Sequence, residues 1–154
     1  MYEKIKQSFS KRSLFWLITI VLIDIAIFYF SSQQGTASER QSRFVLDVFQ
    51  IAESLTTQKI IRKLAHFSIY AGMGICWLNF LCSLSLSKKQ CFVIAILMCF
   101  LFAASDEWHQ TFVPGRSGEL LDVGLDTLGA MIGTSLMMFL CHLKAMIHQR
   151  KDNH

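Results

Sequence analysis

The chain has 154 residues, 53% hydrophobic and 17% charged, with one proline and a formal net charge of +4. Average soluble chains carry about 25% charged residues. That composition excludes collagen-like, disordered and disulfide-scaffold chains, and the scattered positive charge is too weak to indicate nucleic acid. The apolar residues come in long runs, which points to one polytopic membrane domain over residues 1–154.

The first run, Leu14 to Phe30, is broken only by Asp24 and follows Lys4, Lys6, Lys11 and Arg12. Gly35-Thr36-Ala37 is a poor cleavage site, so a retained helix over 14–31 is expected rather than a signal peptide. Asp24 sits mid-span, away from the other polar residues, where it would hydrogen-bond a neighbouring helix or mark a transport path. Next, Phe44, Val48, Ile51, Ala52 and Leu55 recur at spacings of three and four, with Arg43, Asp47, Gln50 and Glu53 between them. This pattern predicts an amphipathic helix over 43–55, lying on the outer face.

The second run predicts a span over 64–86. The third, Cys91 to Ala104, gives only about 21 Å of helix, against a hydrocarbon core of about 30 Å. Its helix must continue through Ser105-Asp106-Glu107-Trp108-His109, giving a span over 88–109 and carrying polar groups below the surface. The fourth span is expected over 120–143. The predicted fold is all-α: a four-transmembrane-helix bundle with an amphipathic interfacial helix between the first and second spans. Cys76, Cys82, Cys91, Cys99 and Cys141 lie in or beside apolar runs without metal-ligand spacing, and read as small buried hydrophobes.

Lysine and arginine number nine on the side of the termini and the 87–90 turn, and six on the other. This places both termini in the cytoplasm of a cell-membrane protein. Arg62 and Lys63 run against that bias, and a positive pair on the outer side suits an anionic ligand.

Four antiparallel spans bring one set of polar residues to a common end. Ser31, Ser32 and Gln34 close the first helix; Lys63, His66 and Tyr70 open the second. Ser105, Asp106, Glu107, His109 and Gln110 close the third; Asp122 and Asp126 open the fourth. Lys63, His66 and Tyr70 share one helical face, as do Asp122, Asp126, Gly129 and Gly133. Gly129-x-x-x-Gly133 admits a close helix neighbour, so that face turns inward with both aspartates. Each residue alone reads as part of a structural ion-pair network; the set together reads as a functional pocket. Arg116, in the Pro114-Gly115-Arg116 turn, is either an ion-pair partner of Asp106, Glu107, Glu119 or Asp122, or a ligand clamp.

Lys63-Leu64-Ala65-His66-Phe67-Ser68-Ile69-Tyr70 resembles the K-x-x-H-F-x-x-Y segment of the VanZ-like family. Asp106-Glu107-Trp108-His109-Gln110, followed by Pro114-Gly115-Arg116, resembles that family's D-E-x-x-Q and P-G-R segments. Asp122, Asp126, Gly129 and Gly133 match its next helix, where the position of Asp126 is often asparagine, so no obligatory carboxylate is implied there. The resemblance covers residues 14–141 and implies a small multi-pass membrane protein. The family's namesake is associated with resistance to the glycopeptide teicoplanin, and the resemblance implies no particular reaction.

Three readings of the pocket stand open. In the first, an enzyme acts on an anionic envelope lipid or lipid-linked cell-wall precursor, as a head-group hydrolase or transferase. Arg116 and Lys63 would hold the anion, with Tyr70, Gln110, Asp122 and Asp126 beside them. His66 or His109 would move protons, oriented or assisted by Asp106 or Glu107. Asp106, Glu107, His109 and Asp122 also suit a divalent metal, although they form no established metal motif. In the second, the same pocket binds an envelope lipid or a glycopeptide without turnover. In the third, Asp24 and the pocket mark an ion-coupled path; four helices are few for that, and a homo-oligomer would supply more.

Overall fold

The computed structural model describes residues 10–33, 35–50, 52, 54–84 and 86–152, with the backbone alone for 35–39, 41 and 151–152; Gln34, Ile51 and Glu53 lie outside the described residues. Five helices follow one another: α1 (Lys11–Ser31), α2 (Gly35–Val48), α3 (Leu55–Cys82), α4 (Lys88–Gln110) and α5 (Leu120–Asp152). All but α2 are long and apolar enough to cross a membrane.

Ser10 caps α1, accepting from the Ser13 N–H at 3.3 Å. Along α1 only Ser13, Ile20, Ile27 and Ser31 are buried. Their spacings of seven, seven and four make one inward stripe. Phe15, Ile18, Leu22, Ile25 and Tyr29 face outward, as a lipid-contacting helix requires.

The interfacial helix α2 starts and stops earlier than the periodicity predicts. Gln50 adopts a positive φ of 54° just beyond it. Ser54 and Thr57 then form a reciprocal capping box that starts α3 at Leu55. Leu55 therefore belongs to the second span, not to the amphipathic segment. Phe44 and Val48 are exposed, whereas Leu46 is buried. The apolar face read from the sequence thus points away from the protein, where the membrane interface would cover it.

The same capping box moves the start of the second span about two and a half turns ahead of Leu64. The span ends at Cys82, where Ser83 caps it, rather than at Leu86. α4 runs unbroken through the polar residues to Gln110, as expected. Its inner face is a row of small side chains, Cys91, Ala95, Cys99 and Ala103, each fully buried. Cys76 is also buried, but Cys82 and Cys141 are exposed and depart from the expected burial, since their positions on α3 and α5 face away from the neighbouring helices. α5 continues beyond Leu143 to Asp152. At about 50 Å it is longer than the hydrocarbon core.

α3 is central, packing against the other four helices. Its approach to α5 is backbone-close. A Cβ on Gly129 would strike the Phe67 carbonyl, and one on Gly133 would strike the backbone of Ala71. This packing fixes the register that brings His66 opposite Asp126.

Candidate functional site

The polar groups meet where α1 and α4 end and α3 and α5 begin. At the rim, the Lys63 ammonium bonds Asp122 and, at 3.1 Å, Glu119. The hydrogen bond from Lys63 holds the Glu119 carboxyl below its usual value. The chain between α4 and α5 turns at Gly115, whose φ is 77°. Only glycine adopts that conformation without strain. Gly118 then lies against the Glu107 carbonyl with no room for a Cβ. This approach lets the Glu119 N–H donate to Glu107 Oε2 at 2.9 Å.

Arg116 stitches the loop to α1. Its Nη2 donates to the Phe30 carbonyl at 3.0 Å, its Nε to the Gln33 carbonyl at 3.2 Å, and its Nη1 to Gln110 Oε1 at 3.2 Å. All three acceptors are neutral. Among the described residues no carboxylate lies within ion-pair distance of this guanidinium, so of the two readings of Arg116 the ion pair with Asp106, Glu107, Glu119 or Asp122 does not form. Burial, followed by repulsion from Arg62, pulls the Arg116 pKa down. Arg62 likewise has no carboxylate partner among the described residues.

Deeper, Gln110 Nε2 donates to Asp106 Oδ2 and Glu107 Oε1, each at 3.0 Å. Ser31 donates to Asp106 Oδ2 at 2.8 Å. His66 Nδ1 lies 3.4 Å from Asp126 Oδ2. The three inner carboxylates are nearly sealed, with Asp106 1%, Glu107 6% and Asp126 1% exposed. Yet Asp106 Oδ1 and both Asp126 oxygens have no hydrogen-bond partner in the protein. The fully buried Tyr70 hydroxyl also has none.

Two cavities flank this network. An apolar one of about 300 Å³ opens between α1, α2 and α3, with Ile27, Val45, Ile61 and Ile69 on its walls and His66 at its side. A polar one of about 210 Å³ lies towards the rim, beside Lys59, Gln110, Glu119 and Asp122. They share Ser42, Arg62 and Arg116, so two cationic forks stand at the junction of an apolar and a polar chamber.

The structure therefore gathers Lys63, His66, Tyr70, Asp106, Glu107, Gln110, Arg116, Asp122 and Asp126 at one end, but divides their work. Asp122 serves the rim with Lys63. His109 turns towards α1, its ring 5.3 Å from that of Phe28 and its Nδ1 buried without a partner. The four residues that the sequence offers for a divalent metal, Asp106, Glu107, His109 and Asp122, do not form a common donor group among the described residues. The donors that lie within 4.8 Å of one another are those of His66, Glu107 and Asp126, one from each of α3, α4 and α5.

Asp24 also departs from expectation. It interacts electrostatically with Asp106 and Tyr70 of the cluster, and its buried Oδ1 finds no hydrogen-bond partner on a neighbouring helix. No local sequence signal places it there, since its neighbours are all apolar. Arg62 was legible only as a cation on the unexpected side of the membrane, and Ser42 gave no signal.

Neither a search of curated proteins nor one of solved structures gave a match. The family model described as VanZ/LLP1 matches residues 15–142. That match takes in every residue of the polar end and the apolar parts of all four long helices, and the chain is a multi-pass membrane protein of the VanZ/LLP1 family.

Proposed function

We propose that this protein holds an anionic amphiphile of the cell envelope, a lipid or a lipid-linked cell-wall precursor. The observation that carries this reading is the junction of the two cavities at Arg62 and Arg116. A charged head group there would meet two guanidiniums with no carboxylate of the described residues within ion-pair distance, and its chain would occupy the apolar chamber. Guanidinium forks suit phosphate and carboxylate bidentately. The excess of lysine and arginine near the termini supports an outward-facing pocket with both termini in the cytoplasm. His66 and the inner carboxylates stand beside the chamber as groups suited to hydrolysis or transfer of the head group. The family's association with teicoplanin resistance fits a protein that engages envelope precursors.

The test uses purified, delipidated protein exposed to vesicles of equal phosphatidylglycerol and phosphatidylcholine, with bound lipid measured by mass spectrometry. The wild type retains phosphatidylglycerol preferentially. The Arg62→Gln/Arg116→Lys variant loses that preference by about ten-fold or more, since each charge-assisted bond contributes about 1.5–3 kcal/mol. Lysine at 116 keeps the charge but cannot reach all three present acceptors. Thermal unfolding of the same variant separates lost binding from lost fold. A folded variant with undiminished preference overturns the reading.

A further inference from the structure

We infer that His66, Glu107 and Asp126 form a site for a divalent transition-metal cation of the manganese or zinc type, where α3, α4 and α5 meet beside the apolar cavity. The three side chains come from three helices, and one donor atom of each lies within 4.8 Å of the others. A cluster of carboxylates alone would not carry this. The independent observation is Asp126: it is 1% exposed, its Oδ2 faces His66 Nδ1 at 3.4 Å without a hydrogen bond, and its Oδ1 has no partner at all among the described residues. Buried carboxylates are ordinarily paired, hydrogen-bonded or bound to metal.

His66, when protonated, balances only one of the two carboxylates beside it, and the neighbouring cations are engaged elsewhere. Lys63 is committed to Asp122 and Glu119 at the rim. Arg116 gives three of its N–H groups to Phe30, Gln33 and Gln110 and lies within ion-pair distance of neither Glu107 nor Asp126. A divalent ion would balance the charges of Glu107 and Asp126. Glu107 is already oriented for such a role. Gln110 holds one of its oxygens and the Glu119 N–H the other, and each oxygen keeps a lone pair. Outer-shell bonds of this kind orient metal ligands. One imidazole with two carboxylates suits manganese or zinc better than calcium, which prefers oxygen alone. Three protein ligands leave coordination positions open on the side of the cavity that His66 lines. The site goes beyond the amphiphile reading, because metal uptake needs no lipid and is measured without it.

The probe is Mn²⁺, chosen because it avoids the free thiols. Purified full-length protein in detergent is stripped with chelator and titrated with Mn²⁺, with binding followed by electron paramagnetic resonance. The wild type takes up about one ion per chain, and its unfolding temperature rises as the ion binds. The near-isosteric Glu107→Gln/Asp126→Asn variant binds about a hundred-fold more weakly or worse. Asp122→Asn, which removes a nearby charge but no ligand, still takes up about one ion per chain and loses far less affinity than the double variant. Absence of saturable binding by the wild type overturns the proposal, as does equal loss in Asp122→Asn. Should the double amide variant fail to fold, Glu107→Gln alone is titrated, and unaltered affinity in that variant overturns the proposal equally.

Discussion

The two ends of the bundle handle buried polarity in opposite ways. At the end formed by the start of α1, the end of α3 and the start of α4, the side chains satisfy one another over short reach. Ser13 meets Ser83 at 2.8 Å, Ser83 also donates to the Phe80 carbonyl, and Ser87 and Gln90 cap α4 reciprocally. No acidic or basic residue is buried there among the described residues. The indole N–H groups of Trp16 and Trp77 go without partners, but these are neutral donors. The other end buries three carboxylates and a half-buried imidazole, bound across 75 to 86 residues of sequence in contacts such as Ser31–Asp106 and Arg116–Phe30. It still leaves carboxylate oxygens unpartnered. An end built only for stability resembles the first, because an unpartnered buried charge costs far more than a neutral donor. The second end carries a cost that selection for stability alone would remove.

The largest expected effect comes from the packing that this contrast depends on. Gly129→Ala places a Cβ against the Phe67 carbonyl, a backbone atom that cannot swing aside. α5 must withdraw from α3 next to the His66–Asp126 pair. Overpacking of this kind costs about 1–3 kcal/mol. The variant should lose stability in detergent unfolding, together with its retention of anionic lipid. Gly72→Ala and Gly124→Ala meet nothing within 4 Å and should do neither. Equal behaviour of all three variants would show that the polar end does not depend on the α3–α5 approach.

Much of this end was legible before any coordinates. Alternating helix direction requires the ends of the first and third spans to meet the starts of the second and fourth. The three- and four-residue spacings put His66 with Tyr70, and Asp126 with Gly129, on inward faces. What stayed illegible was partner choice. Whether Lys63 meets Asp122 or Asp126 depends on the axial register of α3 against α5. That register is set by glycine–backbone contacts that no single segment encodes. Of Asp106, Glu107 and His109 only Glu107 joins the donor set, because successive residues point about 100° apart on a helix, and only packing decides which of them faces α5. The bounds of α2 were misread for a local reason. Its apolar spacing continues into Leu55, while Ser54 and Thr57 cut the helix with a cap.

A smaller effect tests the self-satisfied end. Ser13→Ala removes the hydroxyl that reaches Ser83, yet Ser83 keeps its bond to the Phe80 carbonyl at 2.6 Å. The loss should be about 1 kcal/mol, a fall in unfolding temperature of a few degrees, with lipid preference unchanged. A change in lipid retention would show that the two ends are coupled and that the division drawn between them is wrong.

The smallest effect separates the rim of the polar end from its interior. Glu119 is half exposed, at 47%, and its carboxyl is held below the usual value by the Lys63 ammonium. A depressed carboxyl contributes stability that is complete above its unfolded value of about pH 4.3. The contribution fades as pH falls through the lower folded value. Such an exposed pair is screened and weak. In Glu119→Gln, Lys63 retains Asp122, and the backbone N–H of residue 119 can still donate to Glu107. The variant should therefore be only slightly less stable than wild type at neutral pH. The difference should begin to close below about pH 4.3 and vanish once pH has fallen through the lower folded value, where the wild-type carboxyl is neutral too. High salt should close it at any pH. Unfolding temperatures of the two proteins across this range, with and without salt, provide the measurement. A difference that persists in salt and widens in acid would mean that Glu119 acts with the buried carboxylates, extending the unsatisfied interior out to the rim.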